Sequence, residues 1–200
     1  MRLSEKTNSV TIANADPRFK FRAKKLTQLV HSVLKKIGYR GVTLSLVFVT
    51  DSEIKRLNKR HLNHSWVTDV LAFPHFRRRT SSSSRTLSEK NVKFFPKSAR
   101  ARARGEVLAQ EARSAFSNST GAPSSFLGEV IISPKRAKIY SERFGIPYEE
   151  ELVRYVCHGI LHLKGYSDHS KKVRQIMERK ENSLIRSVKR LTKGLFRYGH

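Results

Sequence analysis

A single cysteine, Cys157, in 200 residues excludes an internal disulfide and gives no sign of an oxidising compartment. Acidic residues are also scarce. Only 16 Asp and Glu stand against 41 Lys and Arg, a formal net charge of +25. No apolar run approaches the ~20 residues of a membrane-spanning helix, and the stretch from Met1 to Asp16 lacks the apolar core of a secretory signal. That stretch carries Glu5 and Asp16, and Val10 to Ala13 reads as a strand, which argues against an organellar address. These absences make a soluble cytoplasmic protein with no membrane partner the expectation. No internal repeat is visible.

What is abundant is positive charge. So large an excess opposes compaction by self-repulsion, and its common use is binding a polyanion, because each neutralised phosphate releases condensed counterions. Charge and pattern point to nucleic acid; an acidic membrane surface or mere solubility is the bland alternative. The length suits one domain with a real core and room for an insertion.

Hydrophobic patterning supplies the elements. Ser9 to Ala13 is a short strand. Phe19 to Ile37 places Phe21, Leu26, Leu29, Val30, Val33, Leu34 and Ile37 on one face of a 3.6-residue period, with Gly38 as the stop, and predicts a helix. Val42 to Val49 alternates and then turns continuously apolar, as a strand entering a buried position does. Thr50-Asp-Ser-Glu53 has the spacing of a capping box and predicts a helix from Glu53 to Leu62. Thr68 to Phe73 is a strand stopped by Pro74. Leu127 to Ser133 is another, leading through Ser-Pro into a helix that ends at about Arg143. Pro147 opens a helix with acids in its first turn, running to about Lys164. Ser170 starts a last, basic helix to about Leu191.

Residues 76–125 differ from the rest. They hold eleven Ser and eleven Lys or Arg but only three acidic residues. Too little of this segment is apolar to repay the entropy of ordering it. It predicts a mostly disordered insertion, with a short helix around Gly105 to Phe116, that is either an RNA-touching arm or a tolerated loop expansion. The remaining elements predict a single α+β domain with core about 8–74 and 126–191. Four strands form a mixed sheet, about five helices pack on it, and the strands flanking the insertion are neighbours.

The chemistry concentrates in Cys157-His-Gly-Ile-Leu-His-Leu-Lys-Gly-Tyr-Ser-Asp-His169. His158 and His162, four apart on a helix, share a face and can share one metal ion. The pair alone is weak, since roughly 0.3 such pairs arise by chance in a chain with eight His. Gly165 strengthens it by ending the helix where the chain can turn back, with Asp168 and His169 three and four residues further on. Two histidines plus one of these make three protein ligands with an open position, the layout of a catalytic zinc site. The alternative is a surface histidine pair without metal. Position 159 bears on the reaction. A zinc protease of the HExxH type has a Glu general base there, whereas Gly159 accepts no proton, so a phosphodiester substrate fits better.

Three blocks resemble the YbeY-type endoribonucleases, bacterial rRNA maturation factors: Leu57 to Pro74 with its Thr68-Asp-Val-Leu, Leu127-Gly-Glu-Val-Ile-Ile-Ser133, and, most specifically, His158-Gly-Ile-Leu-His-Leu-Lys-Gly-Tyr166. The resemblance implies an endoribonuclease that binds one zinc ion, prefers single-stranded RNA, and acts on a ribosomal RNA precursor at the ribosome or a ribosomal subunit. Two departures stand out. The usual signature continues Gly-Tyr-Asp-His, with a third His ten residues after the first; here Ser167 intervenes and position ten is Asp168. A branch of the family reading Gly-Tyr-x-Asp keeps the register and tips the third ligand towards Asp168 over His169, which then lies close by. Leu62 stands where many members carry an Arg thought to face the RNA, which puts that contact in doubt. Arg60, His64 and Asp69 are the candidates for touching substrate, against a plain reading of His64 and Asp69 as loop polarity and a turn.

Other residues take plainer readings. Cys157 projects about 100° away from His158 around the helix and is expected to be a small buried hydrophobe. Trp66 and Phe73 are expected in the core. The cations of the last helix line the RNA path or form a solvated face. Two further functions stay open: a non-catalytic RNA-binding ribosome-assembly factor with a structural metal, and a zinc metalloprotease.

Overall fold

The computed structural model describes residues 7–75 and 125–199. In chain order the elements are β1 (Ser9–Asn14), β2 (Phe19–Phe21), α1 (Ala23–Lys36), β3 (Val42–Phe48), α2 (Asp51–Leu62), β4 (Val70–Pro74), β5 (Ser125–Ile132), α3 (Pro134–Phe144), α4 (Tyr148–Leu163), α5 (Lys171–Thr192) and β6 (Phe196–Tyr198). The main sheet has the order β1-β3-β5-β4. β1 and β5 run parallel to β3, and β4 runs antiparallel to β5. Among the described residues the fold is the expected α+β one, with a four-stranded mixed sheet and five helices. The strands on either side of the predicted insertion are neighbours, with Val70 opposite Ile132 and Pro74 opposite Gly128. The insertion itself, including the helix expected around Gly105 to Phe116, lies outside the described residues, except that Ser125 opens β5.

Strand alternation divides the core between two faces. Leu44, Leu46 and Phe48 of β3, with Val130 and Ile132 of β5, face α1, α4 and α5. Val47, Val49, Ile131 and Leu71 point the other way, onto Ile54 and Leu57 of α2. Every residue of β3 is buried, as expected of a strand covered on both sides. α4 is buried nearly all round, from Leu152 and Val153 to Ile160 and Leu161. Each such side chain stabilises the fold by roughly 1.5–3 kcal/mol on burial, so packing far outweighs intrinsic helix propensity in holding α4.

Local signals act as the sequence implies. Thr50 Oγ1 accepts the backbone N–H of Glu53 at 3.3 Å, capping α2. Glu53 itself turns outward to Arg56, 2.6 Å away, so only that half of the capping box is seen. Ser170 Oγ likewise accepts from Val173 N to start α5.

Two expectations need correction. The helix predicted from Phe19 begins at Ala23, because Phe19–Phe21 is β2, paired antiparallel with β6 at the far end of the chain. Phe19, Lys20 and Phe21 alternate with period two, and the partner strand that makes them a strand is remote in sequence. Phe19, Phe48 and Phe196 then cluster, with Phe19 and Phe48 ring centroids 4.6 Å apart. Trp66 is not in the core; it is 59% exposed, in the loop between α2 and β4. What anchors that loop is its backbone, with Asn58 Nδ2 donating to the Trp66 carbonyl at 2.9 Å. Phe73 is half-buried against the α2 face.

Candidate metal centre

α4 presents His158 and His162 one turn apart, and their imidazoles meet edge to face with Nε2 atoms 3.0 Å apart. The helix ends directly below them in a paired terminal hydrogen-bond pattern: Tyr166 N donates to Leu161 O at 3.0 Å and Gly165 N to His162 O at 2.9 Å. Gly165 has φ 95°, a conformation that glycine adopts without steric cost, and it turns the chain back along the helix. The returning loop carries Asp168. One ligand atom each from His158, His162 and Asp168 lies within 4.8 Å of the others. Arg174 holds that loop by donating from Nε and Nη2 to the Asp168 carbonyl. His169 is exposed, with its Nδ1 2.5 Å from Ser167 Oγ, and is not among the three converging residues.

The outer nitrogens of both rings are engaged. His162 Nδ1 lies 3.1 Å from the Tyr166 carbonyl. His158 Nδ1 lies 3.0 Å from Glu181 Oε2, on α5. Glu181 is 5% exposed, and its other oxygen accepts from Arg154 Nη1 at 2.8 Å. Arg154 also donates to Asn182 Oδ1 and lies 3.4 Å from Glu151 Oε2, a contact too poorly aligned to count as a hydrogen bond. Burial opposes protonation of His158, but the hydrogen bond and charge of Glu181 outweigh it, with Asp69 and Asp168 adding, and the pKa is raised. Burial and the neighbouring His158 push His162 the other way.

The donor set fits a divalent ion. Two nitrogens at 2.0–2.1 Å from a tetrahedral zinc would be roughly 3.3 Å apart, close to the observed 3.0 Å. Ligating imidazoles commonly direct the second ring nitrogen to a carboxylate or backbone carbonyl, as both rings do here.

Comparison with known proteins decides the family. The family model described as Endoribonuclease YbeY matches residues 11–189. The chain belongs to the YbeY family. Among YbeY proteins it is similar to the Endoribonuclease YbeY of Persephonella marina, 28% identical over 81% of this chain and 80% of that protein. The Endoribonuclease YbeY of Pelotomaculum thermopropionicum is 30% identical over 80% of this chain and 82% of its own. The solution structure of TM1509 from Thermotoga maritima aligns with a TM-score of 0.48 at 22% identity, over 90% of this chain and 88% of that one.

The remaining residues singled out from sequence divide. Asp69 heads β4, with its Oδ1 accepting from Val70 N, and its charge acts on both histidines, although it is not one of the converging three. Arg60 lies in the last turn of α2, across the sheet from α4. His64 stacks on Trp66. Cys157 is fully buried, as expected, and burial pushes its thiol pKa up. At Gly159 a Cβ would come within 2.3 Å of Val130 Cγ1 and 3.2 Å of Val70 Cγ1. This position lies against the sheet, and a glutamate there has neither space nor an approach to solvent. Among the described residues no helix is long and apolar enough to cross a membrane.

Glu181 and Arg154 are not among the residues that the sequence singles out. A signal for Glu181 existed: it sits on the buried stripe of α5 with Met177, Leu184, Ile185 and Val188. An acid on an apolar face calls for a buried partner.

Proposed function

We propose that this chain is a zinc-dependent endoribonuclease that cuts single-stranded RNA during ribosomal RNA maturation, at the ribosome or its subunits in the cytoplasm. The observation that carries the reading is the convergence of His158 and His162 Nε2 atoms, 3.0 Å apart, with the Asp168 carboxylate beside them. Two imidazoles and a carboxylate leave a coordination position open, the pattern of a catalytic rather than a structural zinc. Bound there, the ion supplies Lewis acidity, bringing the pKa of water towards neutrality and polarising a phosphoryl oxygen.

The protein's own groups do the positioning. Glu181 accepts the Nδ1–H of His158 and the Tyr166 carbonyl that of His162, so both Nε2 lone pairs face the same point. Arg154 holds Glu181 in turn. The net charge of +25 favours a polyanionic substrate, and the Lys and Arg of α5, which packs on α4, would line the path of the strand. Gly159, pressed against β5, counts against peptide hydrolysis with a glutamate base.

The test is cleavage of a single-stranded RNA by purified protein, which chelation should abolish and added zinc restore. Steeply salt-dependent RNA binding with no metal-dependent cleavage would instead support a non-catalytic assembly factor.

A further inference from the structure

Trp66 is the one tryptophan of the chain and is 59% exposed. Its indole lies on the His64 imidazole with ring centroids 4.2 Å apart and planes 18° from parallel. One indole face is therefore covered, and the exposed area belongs to the other face and the edge. An indole left in water forgoes the large stabilisation that its burial would bring.

The mount is well defined. Asn63 closes α2 at φ 58°, turning the chain out of the helix. Asn58, only 1% exposed, donates Nδ2 to the Trp66 carbonyl at 2.9 Å, and its own carbonyl accepts from His64 N at 3.4 Å. Asn58 thus holds the backbone under both rings, with its side-chain amide at Trp66 and its main-chain carbonyl at His64. Lys59, Arg60 and His61 form the last turn of α2 immediately before them.

The location relates this stack to the histidine pair. Trp66 precedes Asp69 by three residues, so at 3.3–3.6 Å per residue their backbones are at most about 11 Å apart. Asp69 adjoins Val70, whose Cγ1 would lie 3.2 Å from a Cβ at Gly159, the residue that follows His158. A flat, open aromatic face is what a single-stranded nucleic acid uses: bases stack on the ring with little dependence on sequence.

We propose that the Trp66–His64 stack is a base-binding platform for single-stranded RNA approaching the metal centre, a role that rests on the endoribonuclease reading of that centre. A base on Trp66 would place a phosphodiester one or two nucleotides away within reach of the histidine pair.

Because Trp66 is the one tryptophan, intrinsic fluorescence reads the platform directly. The full-length protein is mixed rapidly with single-stranded oligoadenylate, or with an abasic strand of equal length, and read before cleavage accumulates. Oligoadenylate should quench the indole and bind about tenfold more tightly than the abasic strand. Read instead by the fluorescence anisotropy of a dye-labelled strand, because the variants carry no indole, Trp66→Ala should lose about that factor for oligoadenylate and nothing for the abasic strand, while Trp66→Phe keeps most of it. Binding without quenching overturns the platform. So does an unchanged affinity in Trp66→Ala, which would point to a protein-docking role for the indole. Zinc-dependent cleavage in a protein whose Trp66 ignores bases removes the platform alone. Base-selective quenching in a protein that never cuts RNA keeps the platform and removes the endoribonuclease reading.

Discussion

His158 and Glu181 come from different helices, and the imidazole Nδ1 of one lies 3.0 Å from the carboxylate Oε2 of the other. This contact ties α4 to α5 and fixes which nitrogen of His158 faces His162. Glu181→Gln keeps the shape but removes the charge that orients and strengthens the imidazole. We expect a ~10- to 100-fold loss of zinc affinity, measured by competition with a chelator of known affinity, with the far-ultraviolet circular dichroism unchanged. Unaltered affinity would reduce Glu181 to a structural partner of Arg154.

Asp168 and His169 separate cleanly by substitution. Asp168→Ala should lower bound zinc sharply, because its carboxylate is one of the three converging groups. His169→Ala should leave zinc content near that of the unaltered protein, since its imidazole faces Ser167. The reverse pattern, read by elemental analysis of the two variants, would make His169 the third ligand.

Gly159 is a packing position as well as a chemical one. A methyl group there would meet Val130 Cγ1 at 2.3 Å, on a β-branched side chain of the central sheet with little freedom to yield. Gly159→Ala should destabilise the protein by about 1–3 kcal/mol through overpacking, seen as a lower urea midpoint at unchanged slope. A midpoint equal to that of the unaltered protein would mean α4 can move away from β5.

Cys157, next to His158 on α4, lies in the core. It is fully buried, and burial disfavours its thiolate. A colorimetric disulfide reagent at neutral pH should leave the native thiol untouched and titrate one thiol per chain in denaturant. Rapid reaction of the folded protein would show that α4 opens locally.

Much of this was legible before the structure. Periodicity located α2, β3, β5 and α4 because their apolar positions follow one clear repeat. The spacing of His158, His162 and Gly165 implied a helix followed by a return, and the terminal hydrogen bonds of Tyr166 and Gly165 make that return. What stayed hidden depends on partners distant in sequence. Phe19–Phe21 could not be separated from α1 until β6 was placed beside it. Trp66 reads as core from its chemistry alone, and only the loop fixed by Asn58 shows that it faces solvent. Glu181 looked like one charge among many on a basic helix. Its role needed the register of α5 against α4, which brings it to both His158 and Arg154.

If this chain is a zinc-dependent nuclease, both its metal and its activity depend on His158 and His162. The most direct measurement is zinc content and single-stranded RNA cleavage of a His158→Ala, His162→Ala double variant beside the unaltered protein. About one zinc per chain is expected in the unaltered protein, as three protein ligands around one open position require, with both zinc and cleavage lost in the variant. A double variant that keeps its zinc and cuts RNA at the original rate would contradict that dependence.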